Sequence, residues 1–106
     1  MTGWVMAEVN ADVAPEHERR LLDTYRRLLA RPLPDGLIQS ELLRGPGRHW
    51  RIQTLWRDQA ALDAMRASAE GEAAPHLFHD IDPDAEFTVY DVVAEWITTE
   101  PGTPPP

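Results

Sequence analysis

The sequence predicts an α+β domain in which a four-stranded antiparallel sheet carries two helices on one face. Four segments have the residue pattern of strands, two have helical periodicity, and they follow one another in the order β-α-β-β-α-β. The chain has 106 residues, of which 42% are hydrophobic, and this is enough for one compact core but not for two. We therefore expect one domain over residues 1–97, followed by a flexible, proline-rich tail at 98–106.

The first strand and the first helix are marked by clear periodicity. Along residues 4–10, side chains alternate between an apolar side and a mixed side, which is the pattern of a half-buried strand. Pro15 then has the preset φ of a first helical position. Apolar residues follow at helical spacing, namely Leu21, Leu22, Tyr25, Leu28 and Leu29. The prolines and the glycine within residues 32–36 cannot continue this helix, so it ends before them.

The second half of the chain predicts a hairpin, a second helix and a last strand. The apolar runs 36–44 and 49–57 are separated by two glycines and a proline, which favours a β-hairpin. Asp58 can accept a hydrogen bond from the first free amides of the next helix. Residues 71–83 fit either a short helix or a loop. Residues 87–96 are dense in valine, tyrosine, threonine and phenylalanine, and predict a long last strand.

This element order is that of the ferredoxin-like fold, in which both helices cover the same face of the sheet. The other face is left uncovered, and either set of alternating side chains is too aromatic and apolar to meet water. We expect a second copy of the chain to cover it, sheet against sheet, with a cavity enclosed in each subunit. The predicted assembly is therefore a homodimer.

Composition excludes several classes of function. The formal net charge is −8, and we expect no nucleic-acid partner, because such partners are bound largely through Lys and Arg. All ten basic residues are arginine, which excludes a lysine Schiff base, and the absence of cysteine excludes disulfides and thiol chemistry. No segment has the ~20 apolar residues of a membrane span, and the N-terminus does not resemble a signal peptide. We therefore expect a cytoplasmic protein with no membrane partner.

Residues 55–68, LWRDQAALDAMRAS, place a tryptophan at the end of a strand, an acidic cap after it, and then a helix rich in alanine and leucine. This pattern resembles the antibiotic biosynthesis monooxygenase (ABM) family of dimeric α/β barrels, and the element order over residues 3–97 fits as well. Members include cofactor-independent oxygenases of aromatic polyketides, quinol oxygenases, haem-degrading enzymes and proteins with no known activity. The resemblance implies a dimeric α/β barrel that binds a small aromatic molecule.

The sequence departs from the oxygenases of that family at two positions. Those oxygenases resemble one another in an asparagine four residues before the strand-end tryptophan, and in a second asparagine on the first strand. Ile52 stands four residues before Trp56, and Met6 or Glu8 stands where the second asparagine is expected. Asn10 lies too far along the first strand to replace it.

The candidate pocket is built around Trp56, which is also a candidate catalytic residue. Trp56 has the same strand parity as Trp50, Ile52 and Thr54, and the resemblance implies that this side faces the interior of the barrel. An indole ring there can stack on a flat substrate and donate its N–H, although packing of a core would place it equally well. The predicted substrate-binding residues are Trp50, Met6, Thr54, Met65, Phe78 and Tyr90.

A histidine and a carboxylate are the candidate acid–base groups. His76 and His79 lie three residues apart, so on a helix they would share a face and could transfer protons or bind a metal. We favour proton transfer, with His76 as the general base, and expect no metal site. Glu8 interrupts an apolar strand and is the second candidate, because a carboxylate in a closed cavity is a usable acid or base.

Three hypotheses follow for the function. The first is a homodimeric enzyme of secondary metabolism that oxygenates an aromatic or polyketide-like molecule without metal, flavin or other cofactor. The second keeps the pocket but has its acid–base groups cyclise or isomerise a polyketide without oxygen. The third is a non-catalytic binding or haem-handling module. The haem-degrading branch of the family has a tryptophan on the second helix and an iron-binding histidine after it; here Met65 stands at the first place, and His76 lies one residue from the second.

Overall fold

The computed structural model describes residues 3–67 and 81–96 of the chain. These residues form four strands and two α-helices in the predicted order. The elements are β1 (Val5–Asp12), α1 (Glu18–Leu29), β2 (Leu37–Arg44), β3 (His49–Trp56), α2 (Gln59–Ala67) and β4 (Glu86–Asp91), with a short 3-10 turn at Pro15–His17 before α1. The predicted α+β fold of ferredoxin-like type is confirmed.

Both helices begin where the sequence predicts a start. Pro15 lies in the first turn of the 3-10 segment that leads into α1. The backbone N–H of Ala61 donates to Asp58 Oδ1 at 2.8 Å, so Asp58 caps α2. The buried residues of the two helices are Leu21, Tyr25, Ala61 and Leu62.

The strand register decides which side chains share a face of the sheet. The order is β2-β3-β1-β4, and all neighbouring strands are antiparallel. Val5 lies opposite Trp56, and Val9 lies opposite Ile52. These residues belong to two buried clusters that also contain residues of α1 and α2. Both helices therefore cover this face, which we call the helix face, and the opposite face is the open face.

The open face is more polar than predicted. Arg51 Nε donates to Asn10 Oδ1 at 2.8 Å on this face. An apolar row crosses three strands at one end, with Leu55 and Tyr90 on either side of Met6. The prediction that the uncovered face would be strongly aromatic and apolar, whichever side chains it carried, was wrong. The tryptophans of β3 and the valines of β1 all lie on the helix face.

The last strand is shorter than predicted. β4 ends at Asp91, which lies opposite Val5, the first residue of β1. The N–H of Val92 donates to the carbonyl oxygen of Trp4 at 3.0 Å, just outside the ladder. The prediction of a strand through residue 96 was wrong, because β1 offers no further strand residues with which 92–96 could pair.

Within residues 3–67 and 81–96, no helix is long and apolar enough to cross a membrane. The tail expected at 98–106 lies outside the described residues, as do residues 71–80, for which the sequence left helix and loop open. The boundary between domain and tail stays a prediction.

Candidate functional site

A cavity of about 540 Å³ lies between the helix face of the sheet and the two helices. Ala7, Ile52 and Thr54 contribute to its floor from the middle strands, while Leu28 of α1 and Met65 of α2 contribute to its walls. A mostly apolar concave space of this size is typical of small-molecule binding sites.

Small side chains explain why this space is not filled by the protein. Ala7 lines it from β1, and the exposed Ala60 and Ala64, four positions apart and so on one face of α2, line it from the helix. The interior of a domain is normally close-packed, so small side chains along this space leave room for another molecule.

Two hydrogen-bonded pairs supply the polar groups of the cavity floor. Tyr25 Oη and Ser40 Oγ are 2.7 Å apart, and Trp56 Nε1–H donates to Thr54 Oγ1 at 2.9 Å. Ser40 and Thr54 lie opposite one another on β2 and β3. The four residues Tyr25, Ser40, Thr54 and Trp56 therefore form a polar strip across an otherwise apolar floor.

The members of the polar strip differ in how accessible they are. Trp56 is 1% exposed and its N–H is already donated to Thr54, so the indole packs the floor and does not point its donor into the cavity. Tyr25 is also buried, whereas Ser40 and Thr54 are half-buried. The Thr54 hydroxyl accepts from Trp56 and donates to the carbonyl oxygen of Ala7 at 3.5 Å, so the Tyr25–Ser40 pair has the O–H that is left to donate to another molecule.

The rim of the cavity is charged. Arg57 follows β3, and its guanidinium lies 3.4 Å from Asp35 Oδ2 and 3.5 Å from Asp58 Oδ2. The hydrogen bond to Asp35 and the charges of both aspartates raise the pKa of Arg57 above its ordinary value. Arg31 and Arg66 also line the cavity.

The structure brings three of the predicted site residues to the cavity, namely Trp56, Thr54 and Met65. Trp50 lies on the same face but in the buried cluster beneath α1, and the cavity lining does not include it. Among the described residues, its Nε1 has no hydrogen-bond partner. Trp50 is therefore a core residue, and its predicted contact with substrate is wrong for this cavity.

Met6 lies on the other side of the sheet. The register places it opposite Leu55, one residue away from Trp56 on β3, and a step of one residue reverses the face. The prediction that Trp56, Trp50 and Met6 would border one pocket was therefore wrong.

Glu8 and Tyr90 also lie on the open face. Glu8 Oε1 is 3.7 Å from Arg51 Nε, and Tyr90 is 50% exposed. Neither residue lines the cavity. The tryptophan side of β3 faces the helices, so the prediction that it faces the interior of a barrel between two sheets was wrong.

The predicted residues His76, Phe78 and His79 lie outside the described residues, and their roles stay predictions. Within 3–67 and 81–96, no group of three or more His, Asp or Glu side chains is arranged to hold a metal ion.

Sequence reasoning missed two residues of the site, Tyr25 and Ser40. The spacing of Tyr25 places it on the apolar stripe of α1, but a buried tyrosine hydroxyl needs a partner. Ser40 is that partner, and its position between Gln39 and Glu41 on β2 does not single it out in the sequence.

Solved structures share this fold. A conserved protein from Methanosarcina mazei Go1 has a TM-score of 0.72 at 19% identity, over 85% of this chain and 93% of that one. SnoaB from Streptomyces nogalater, a cofactor-independent oxygenase solved in a mutant form, has a TM-score of 0.67 at 17% identity, over 92% and 99% of the two chains. Rv0793 from Mycobacterium tuberculosis has a TM-score of 0.65 at 20% identity, over 87% and 97%. At such identities the likeness shows the fold alone.

Comparison at the level of sequence assigns the chain to a family more directly than the shared fold does. None of the proteins with curated functions matches the chain significantly. The model of the antibiotic biosynthesis monooxygenase family matches residues 4–77, which is well over half of the chain and includes the strand-end Trp56 and α2. The chain belongs to the antibiotic biosynthesis monooxygenase family.

Proposed function

We propose that this protein is a cofactor-independent monooxygenase that oxidises a planar aromatic or polyketide-like molecule of secondary metabolism in the cavity between sheet and helices. The observation that carries the proposal is the polar strip on an apolar floor: flat apolar walls suit an aromatic ring, and the hydroxyl pair of Tyr25 and Ser40 suits its oxygen substituent. Membership of the family supports it, as does the fold shared with SnoaB.

Such a reaction needs few protein groups, because the substrate itself supplies the electrons. Removal of a proton from a methylene group that lies between two aryl rings and is conjugated through them with a ketone, as in an anthrone, gives a carbanion that is stabilised as an enolate. The carbanion passes one electron to O₂, and recombination of the two radicals forms the C–O bond of a peroxide. Loss of water from the protonated peroxide leaves a carbonyl group, with one oxygen atom in the product and the other in water.

The polar strip is placed to stabilise the enolate. In the Tyr25–Ser40 pair one hydroxyl donates to the other, which leaves one O–H free to donate to an oxygen of the substrate. Hydrogen bonds that strengthen as negative charge develops lower the barrier to proton removal. We assign the removal of the proton to His76, as the sequence predicts.

We expect the protein to consume oxygen as it converts an anthrone to an anthraquinone, with no metal or flavin added. The double variant Tyr25→Phe/Ser40→Ala should lower kcat about tenfold or more, because the enolate loses its donors. Glu8→Gln, on the open face, is the control and should leave kcat unchanged. An oxygen electrode and the absorbance of the quinone measure the two sides of the reaction.

The same assay tests the alternatives. Conversion of a polyketide-like substrate without oxygen uptake would overturn oxygenation and favour cyclisation or isomerisation. Loss of activity in His76→Ala that added imidazole restores would support His76 as the base. A variant at Glu8 that is as inactive as the double variant would place the chemistry on the open face.

We also propose a homodimer that buries the open face. The apolar row formed by Leu55, Met6 and Tyr90 crosses three strands, and Tyr90 is half-exposed in the single chain. We expect size-exclusion chromatography with light scattering to give a dimer that Tyr90→Asp converts to monomer. Leu33→Asp, at the cavity mouth, should remain dimeric. A wild-type monomer would overturn this proposal.

A further inference from the structure

We infer that the cavity selects aromatic acids, whose carboxylate is bound at the rim by Arg66. The inference rests on the proposed function in taking this cavity as the substrate site, and it adds the chemical class of the substrate. It is carried by the balance of charge at the rim and by the placement of the Arg66 side chain.

The rim has an excess of positive charge in a chain whose net charge is −8. Among residues 3–67 and 81–96, three arginines and two aspartates line the cavity: Arg31, Arg57, Arg66, Asp35 and Asp58. An anion therefore meets a locally favourable potential from these rim residues, although the protein as a whole repels it.

The two aspartates do not compensate Arg66. Both lie beside Arg57, Asp35 at 3.4 Å and Asp58 at 3.5 Å. Over residues 3–67 and 81–96, the ion pairs within 4.0 Å do not include Arg31 or Arg66. The positive charge at the rim that has no ion-pair partner among these residues is therefore that of Arg31 and Arg66.

Arg66 is also held against the cavity wall. Its guanidinium carbon lies 4.4 Å from the centroid of the Phe87 ring, and Phe87 lines the cavity from β4. A guanidinium whose central carbon lies over a ring can keep N–H groups at its edge free for another partner. That edge is the part that binds a carboxylate through two parallel hydrogen bonds.

The two halves of an aromatic acid fit this arrangement. The ring enters the apolar cavity next to Phe87 and Met65, and the carboxylate stays at the rim, where Arg66 is exposed. Because the contact is open to water, the preference should be moderate and should weaken as salt is added.

The experiment compares the binding of 2-naphthoate with that of its neutral isostere, 2-naphthamide, by isothermal titration calorimetry on the full chain. At low ionic strength we expect the wild type to bind the acid about fivefold to tenfold more tightly than the amide. Arg66→Gln should remove this preference, and Arg66→Lys should keep part of it. Arg20→Gln is the matched control, because Arg20 is exposed on α1 and does not line the cavity.

Several results would overturn the inference: equal affinity of the wild type for both ligands, no binding of either, or a preference for the acid that survives Arg66→Gln. Circular dichroism checks that each variant is folded. Failure of the proposed function has a different signature. A preference for the acid that depends on Arg66, in a protein that never consumes oxygen, would support the carboxylate site and contradict the proposed oxygenase activity. Oxygen uptake with equal affinity for both ligands would support the oxygenase activity and contradict the carboxylate site.

Discussion

Replacement of Trp56 by alanine should lower the free energy of unfolding by about 3–5 kcal/mol, because it removes a large buried side chain and leaves a void. Trp56 is 1% exposed and packs in a cluster with Val5, Ala61 and Leu62, which joins the sheet to α2. The void would open into the existing cavity, where the surrounding side chains are already held apart. We therefore expect little compensating collapse.

Urea unfolding followed by far-UV circular dichroism measures this loss. Trp96→Ala is the matched control, since Trp96 is 88% exposed in the single chain, and its cost should stay within about 0.5 kcal/mol. A larger cost at Trp96 that shrinks on dilution would report on association of two chains. A Trp56→Ala protein as stable as the wild type would contradict the assignment of Trp56 to the core.

Trp56→Phe separates packing from chemistry. It keeps an aromatic ring on the floor but removes the N–H that Thr54 Oγ1 accepts at 2.9 Å, so its cost should be smaller, about 1–2 kcal/mol. A folded Trp56→Phe protein without oxygenase activity would support the predicted catalytic role of Trp56. Retained activity would leave Trp56 with a packing role only.

The alternation of residues along the strands predicted which side chains share a face, but not what covers that face. The grouping of Trp50, Ile52, Thr54 and Trp56 is correct, because the side-chain period of a strand is fixed at two residues. Whether this group faces the helices or a second sheet depends on how α1 and α2 pack against the sheet. The strand pattern alone has no information about that choice.

The residue pattern of one strand does not determine its register against another strand. Placing Met6 beside Trp56 required the register of β1 against β3, and an error of one residue moved Met6 to the wrong face. The end of β4 likewise depends on β1, since a strand continues only while a neighbour accepts its hydrogen bonds. The pairing of Tyr25 with Ser40 joins α1 to β2 and cannot be read from either segment.

A second large effect on stability is expected at Gly36, in the loop before β2. Its φ is +87°, a left-handed conformation that costs other residues about 1–2 kcal/mol. A methyl group added there would also lie 2.5 Å from Ala61 Cβ, which is too close for any contact. Gly36→Ala should therefore lower the free energy of unfolding by about 2–5 kcal/mol, the sum of backbone strain and overpacking.

Gly47→Ala separates these two contributions, because Gly47 has a φ of +64° with nothing within 4 Å of the added methyl group. It should show the backbone cost alone, about 1–2 kcal/mol. The difference between the two variants in urea unfolding then measures the clash between the loop and α2. Equal costs at the two positions would mean that α2 moves aside freely.

The clash at Gly36 can be relieved from the other side. In Gly36→Ala/Ala61→Gly the steric term disappears, so the double variant should be more stable than the sum of the two single changes predicts. The carbonyl oxygen of Gly36 also accepts the N–H of Arg57 at 2.8 Å, and Gly36 directly follows Asp35. The close approach of Gly36 to Ala61 therefore also fixes the position of these two rim residues relative to α2. If Gly36→Ala weakens the binding of naphthoate and the double variant restores it, the close approach of Gly36 to Ala61 sets the shape of the cavity mouth as well as its stability. If the two changes lower the free energy of unfolding additively and binding is unchanged, the loop does not determine the shape of the binding site.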